Sequence, residues 1–410
     1  MRKKAIFLMM ALALASTPAM LAQEAADTTF VFKDIKVNPT TSVKDQNKSG
    51  TCWSFSGVSF LEDELLKNGK GEFDLSEMYI ARQCYIDKAI HYVRYCGATN
   101  FGQGGSILDV PYVYNAYGMV PEEVYAGLNY GEEKHNHGEL AAVLEAYLKE
   151  IVKNPNAKLS EAWLNGYIGI LDAYLGKTPE KFVYKGKEYT PRSFADMLGL
   201  KMDDFIPVTS FTHHPFYKPF VLEVPDNWSN GLYYNVKLDE LKKIVDDAIE
   251  KGYTVLWAAD VSEKGFKWYD GVALMPKIDR NKERTGTELA KWVKLKSSEK
   301  EEELYDFKGP VEEIEVTQES RQKGFDNYET TDDHGMVIIG KAEDQKGNKY
   351  YKVKNSWDTD QVYQGYFYVS EAYFLSKTMS ILVNKKAVPS DGSKEKPFLI
   401  SNDMELASAV

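Results

Sequence analysis

Cysteine is scarce in this chain, with three in 410 residues: Cys52, Cys84 and Cys96. A small fold stapled by disulfides needs several pairs and is excluded. If Cys84 and Cys96 share one helix, their backbones stand roughly 18 Å apart. A disulfide tolerates about 7 Å, so two buried free thiols are expected. An excess of positive charge is also missing. The net charge is −11, which argues against nucleic acid or an anionic membrane surface as the partner. No apolar run is long enough to cross a bilayer, so no membrane anchor is expected. With 43% hydrophobic and 27% charged residues the chain is not of a disordered class, and its length suffices for two domains or one elaborated one. No internal repeat is visible.

The N-terminus carries a three-part pattern. Arg2, Lys3 and Lys4 precede an apolar run over residues 5–15, and a short small-residue stretch ends near Ala22. That is the layout of a cleavable secretory signal over residues 1–22; about 11 apolar residues are too few to span roughly 30 Å of hydrocarbon. An exported protein, periplasmic or extracellular, is expected, with its body over 23–387 and a tail over 388–410. About 29 residues separate the expected cleavage point from Cys52, so no large inhibitory propeptide is expected.

Helical period begins at Cys52, with Phe55, Val58, Leu61, Leu65 and Leu66 on one face and Gly69 as a stop. Ser76 caps a second helix, a glycine-rich loop (GQGG, residues 102–105) follows, and residues 108–117 read as a third helix. Further helical stretches are expected at 138–153, 157–176 and 238–251, a hairpin around Lys185-Gly186, and a buried strand at 253–260. The charge run 296–303 is a solvated helix face or loop. After residue 330 the pattern turns to strands, at 336–339, 349–354 and 366–369.

Chemistry concentrates at QNKSGTCWSF, residues 46–55. A thiol attacks a carbonyl only as thiolate. Cys52 sits where a loop containing Gly50 and Thr51 enters a helix, so its sulfur would face the positive end of the helix dipole. A histidine must form the other half of an ion pair and protonate the leaving amine. Of the six histidines, His334 is best placed, just before the apolar strand. His213 and His214, before Pro215, are structural candidates that could replace it, and His91 looks like a helix-face residue. His135 and His137 have no recognisable third ligand, so no metal site is expected. Asn355 can hold the far nitrogen of the imidazole, and Trp357 can shield that bond from water. The oxyanion needs donors: the Cys52 backbone amide is one, and the Gln46 side chain, six residues upstream, is the other.

Together these residues resemble the papain superfamily of cysteine peptidases, a family whose Cys–His–Asn set is a known pattern. Four elements carry the resemblance: Gln46 with Cys52-Trp53-Ser54-Phe55, the glycine pair Gly104-Gly105, Asp333-His334-Gly335, and Asn355-Ser356-Trp357. It implies Gln46 as oxyanion donor, Cys52 as nucleophile, His334 as acid–base and Asn355 as its orienter. It further implies that Gly104 and Gly105 pair with the substrate backbone, with Trp53 and Trp357 also at the substrate site. Ser49 and Gln103 stand where the family carries a disulfide. The separation of 282 residues between Cys52 and His334, about twice the papain spacing, and the segments VPEEVYAGLNYG, SFTHHPFYKPF and FDNYETTDDHGM resemble the bleomycin hydrolase and aminopeptidase C branch. The implied fold is α+β and papain-like: a helical subdomain carrying the cysteine, an antiparallel β subdomain carrying histidine and asparagine, and a large, mainly helical insertion at about 130–310. Asp358 replaces the glycine usual after Asn-Ser-Trp, and the tail does not resemble the branch's C-terminal arm.

The resemblance implies a cysteine peptidase acting on peptides, an aminopeptidase in preference to an endopeptidase with an open cleft, without a cofactor, and a homo-hexamer. A rival of another class is a catalytically silent peptide-binding protein, whose usual sign is a lost catalytic side chain; none is lost here. Amide hydrolysis of a non-peptide shares the chemistry and differs only in pocket shape.

Overall fold

The computed structural model describes residues 29–388; the expected signal segment and nearly all of the tail lie outside the described residues. Strand β1 (Lys33–Val37) leads to three helices, α1 (Cys52–Lys67), α2 (Glu77–Arg94) and α3 (Asp109–Tyr117). Each begins or ends as its sequence dictates. The hydroxyl of Ser76 accepts from the Tyr79 backbone to cap α2, and Gly69 follows α1 at φ +69°.

Helices α4 (Gly138–Lys153) and α5 (Ala162–Leu175) pack on α2. A hairpin of β2 (Phe182–Tyr184) and β3 (Lys187–Tyr189) follows, turning at Lys185-Gly186, and then α6 (Pro191–Leu198). From there the chain enters the main sheet with β4 (Phe205–Thr209), β5 (Pro219–Val221) and β6 (Leu232–Asn235). Helix α7 (Leu238–Glu250) precedes β7 (Val255–Ala259), β8 (Phe266–Lys267) and β9 (Val272–Ala273). Three short helices, α8 (Gly286–Trp292), α9 (Ser297–Leu304) and α10 (Gln318–Asp326), carry the chain to β10 (His334–Glu343) and β11 (Lys349–Lys354). Strand β12 (Tyr366–Ser370), α11 (Glu371–Lys377) and β13 (Thr378–Asn384) complete the described chain.

The sheet order is β5-β6-β4-β13-β7-β10-β11-β12-β9-β8, with β1 on the far half of β10. One face packs against the helical half, through Trp53, Val58, Phe60 and Leu61 of α1. The opposite face is covered by α7 and α11, around Trp257, Ile338, Val353 and Phe374. The fold class is the expected α+β arrangement. Within residues 130–310, β4 and β7 lie next to β13 in the centre of the sheet. The short apolar runs FIPVT and VLWAA are buried on both faces, which is what a central strand demands.

Helix α1 also buries three consecutive acids. Glu62 accepts from Leu75 N and Thr41 Oγ1, Asp63 from Thr41 N, and Glu64 from Asn384 Nδ2. These carboxylates tie the entering segment and the end of β13 to the helix that starts with Cys52. The cysteines are free, but Cys96 is exposed, contrary to the expected buried pair. Helix α2 ends at Arg94, and Cys96 follows it at φ +56° on the surface.

Candidate active site

Three elements meet at one end of the sheet. Cys52 is the first residue of α1, with no acidic residue in that first turn to offset the dipole. His334 opens β10, and Asn355 follows the last residue of its antiparallel neighbour β11. Helix α1 lies across β10 so closely that a Cβ on Gly335 would stand 2.6 Å from Ser56 Oγ and 3.4 Å from the Cys52 carbonyl. Only glycine admits that approach, and the Gly335 backbone N–H then reaches the Cys52 sulfur.

The hydrogen bonds fix the imidazole's tautomer. Asn355 Oδ1 accepts from Ser356 N at 2.8 Å and faces His334 Nε2 at 2.7 Å. Because that atom already accepts from a backbone N–H, it is the amide oxygen, and His334 Nε2 must donate to it. In the neutral ring Nδ1 is then the free base. Trp357, half-buried, lies over the ring with centroids 4.4 Å apart, while His334 and Asn355 are only 4% and 3% exposed. Burial pushes the Cys52 thiol up to about 11 and the imidazole down to about 4, the latter partly offset by Asn355. Burial thus disfavours the charged form of each group.

Gln46 belongs to the same cluster. Its backbone N donates to Ser356 O at 2.9 Å, and Asp45 bridges Trp357. Ser356 Oγ donates to Gln46 Oε1 at 2.7 Å, which turns Nε2 toward the nucleophile loop, where one of its hydrogens goes to Ser49 O. The second N–H of that amide is the one an oxyanion could use. Ser356 was not singled out by sequence reasoning, although it lies inside the Asn-Ser-Trp run; nothing in the spacing says which way its hydroxyl points.

In place of the missing disulfide, Gln103 staples the glycine loop to the nucleophile loop. Its Oε1 accepts from Gly50 N at 2.8 Å, and its carbonyl accepts from Trp53 Nε1 at 2.9 Å. Gly104 and Gly105 are partly exposed along this wall. Lys88 Nζ donates to the carbonyls of Gly102 and Gly104 from behind. Trp53 corrects an expectation: it is 1% exposed and its ring backs Gly105, so it supports the wall without facing a substrate. Its position in α1 directs it inward to the helical core.

The other histidines lie elsewhere. His135 and His137 brace the nucleophile loop through their backbones, which pair with Lys48; burial pushes the His137 ring down to about 4. His213, His214 and Glu223 have ligand atoms close enough for a metal. The Gln322 amide is oriented by Thr212 N on its oxygen, so its Nε2 donates to His213 Nδ1 at 3.0 Å. His213 Nε2 therefore carries a proton, which it gives to Glu223. A metal ligand needs a lone pair at that atom, so this group reads as a hydrogen-bonded clamp.

The comparisons agree with the geometry. Residues 28–158 match the family described as papain family cysteine protease, and residues 278–396 the Peptidase C1-like family. Aminopeptidase C of Lactococcus lactis subsp. cremoris is 24% identical, over 86% of this chain and 82% of that protein. Aminopeptidase G of Lactobacillus delbrueckii subsp. lactis is 22% identical, over 90% of this chain and 86% of its own. The crystal structure of PepW from Lactobacillus rhamnosis HN001 shares the fold, with a TM-score of 0.67 at 20% identity, over 95% of this chain and 93% of that one. The fold and the family matches define a cysteine peptidase with a papain-like fold. Within that class, the chain is similar to the papain superfamily's bleomycin hydrolase and aminopeptidase C branch.

Proposed function

We propose that this protein is an aminopeptidase that hydrolyses peptides through a Cys52-linked acyl-enzyme. The observation that carries the proposal is the meeting of Cys52, His334 and Asn355 where α1 crosses the ends of β10 and β11. In this reading His334 Nδ1 takes the thiol proton, and Cys52 Sγ attacks the carbonyl carbon, forming a C–S bond. The second N–H of Gln46 Nε2 and the Cys52 backbone N–H hold the oxyanion. His334 gives its proton to the leaving amine as the C–N bond breaks. Water, deprotonated by His334, then cleaves the thioester and returns the thiol. Asn355 keeps the ring's edge correct, and Gly104 and Gly105 pair with the substrate backbone.

Relatives that carry the name aminopeptidase C along most of the chain support the amino-terminal specificity. Cys52→Ala should abolish hydrolysis of an unblocked aminoacyl-coumarin, and the wild type should cleave its N-acylated form poorly. The reverse preference would indicate an endopeptidase with an open cleft, and activity surviving in Cys52→Ala would end the reading altogether. Two finer proposals follow from sequence pattern and family likeness. The basic and apolar run at residues 2–15 directs export, testable by fractionating cells for the shortened mature chain. The chain assembles as a hexamer, for which sedimentation would give six times the monomer mass.

A further inference from the structure

Two aspartates, Asp226 and Asp332, act electrostatically on Cys52 and form no ion pair among the described residues. A Cβ added to Gly104 would fall on the Asp226 carboxylate, so that side chain closes the glycine wall at the point where a paired substrate backbone would continue. Asp332 lies two residues before His334, at the approach to β10. Both are partly buried, and each acts electrostatically on Cys52 and on the other. Among the described residues, Asp226 receives one hydrogen bond, from Asn100 Nδ2 at 3.2 Å. Neither aspartate has an ion-pair partner among the described residues. Lys88, whose charge acts on Asp226, donates to the carbonyls of Gly102 and Gly104.

A third acceptor lies within electrostatic reach of the same groups. The Tyr85 hydroxyl is buried, has no hydrogen-bond partner among the described residues, and interacts electrostatically with Cys52 and Asp226. Negative charge beside a nucleophile that must become a thiolate is counterproductive; both aspartates hold the thiol proton on. Such an arrangement makes chemical sense when the substrate itself brings a positive charge. An ammonium group has three donors and no acceptor, which matches two carboxylates and one hydroxyl.

We propose that Asp226 and Asp332 bind the free α-ammonium group of the substrate's first residue, and so set where the enzyme cuts. The proposal rests on the aminopeptidase reading and adds how the amino terminus is recognised. A peptide laid on Gly104 and Gly105 would end against Asp226, leaving one residue before the scissile bond. Binding the ammonium also neutralises the charge that opposes the thiolate, so the correct substrate helps to activate the nucleophile.

The test compares free and N-acetylated leucyl-coumarin on wild type, Asp226→Asn and Asp332→Asn. Taking both rates on one preparation makes their ratio independent of the fraction that is folded. Each variant should lower the free-to-blocked kcat/KM ratio by at least about tenfold, the scale of a lost charge-assisted bond. An unchanged ratio in both variants would overturn the proposal. A wild type that prefers the blocked substrate would instead remove the aminopeptidase reading beneath it. If the variants weaken only blocked peptides with lysine before the scissile residue, the ammonium bound is a side chain and the amino-terminal assignment falls. A measurement on the wild type alone stands if a variant fails to fold. Leucinol should protect Cys52 from alkylation and N-acetyl-leucinol should not; equal protection would contradict the proposal.

Discussion

At the scale of single residues, the site depends on atoms whose only task is to hold others. Ser356 fixes which end of the Gln46 amide faces the nucleophile. Ser356→Ala should lower kcat about tenfold with KM little changed, since removing the oxyanion donor itself costs about a hundredfold or more. Gln46→Ala should show that larger loss, and steady-state kinetics on one substrate separates the two. A Ser356→Ala enzyme that loses as much as Gln46→Ala would mean the serine does more than orient the amide. The four proposed catalytic side chains were legible in the sequence because each lies in a short, unusual local string. Asp226 and Asp332 were not. Asp226 lies 174 residues from Cys52, in a loop whose local pattern says nothing of the wall it will meet.

At the scale of elements, loops zipped side by side replace covalent cross-links. The nucleophile loop is held by Gln103 on one side, by the 135–137 segment on another and by Ser356-Trp357 on a third. Gln103→Ala leaves Gly50 N without its acceptor, and the glycine wall should loosen. KM should rise several-fold while the rate of Cys52 alkylation by a neutral reagent stays within about twofold, because the helix start is set by α1 packing. Asp358 shows how a departure from the family is accommodated. It occupies φ +69°, a left-handed position, with its carboxylate accepting from Thr359 N and from Lys134. Helices α1 to α4 and the hairpin were readable from periodicity and turn residues. Strands β4, β6 and β13 were not, since short apolar runs carry no period and their partners lie far away in sequence.

For the whole molecule, the buried acids of α1 couple stability to pH. Burial raises Glu62 to about 7, Asp63 to about 6 and Glu64 to about 7, above their unfolded values near 4. The folded state therefore holds protons that the unfolded chain gives up. The stability this contributes is full below about pH 4 and is lost as pH rises through the folded values near 6 to 7. Measured by thermal unfolding, Tm should fall between pH 5 and 8, and Glu62→Gln should reduce that fall. A Tm rising over the same window would contradict the burial of these groups. The central claim is that Cys52, held at the start of α1, is the nucleophile. Treatment with a thiol-directed epoxide, followed by intact-mass and peptide mapping, tests it most directly. One adduct on Cys52, absent from Cys84 and Cys96 and formed in step with loss of hydrolysis, is the predicted result; hydrolysis that persists with Cys52 fully modified would contradict it.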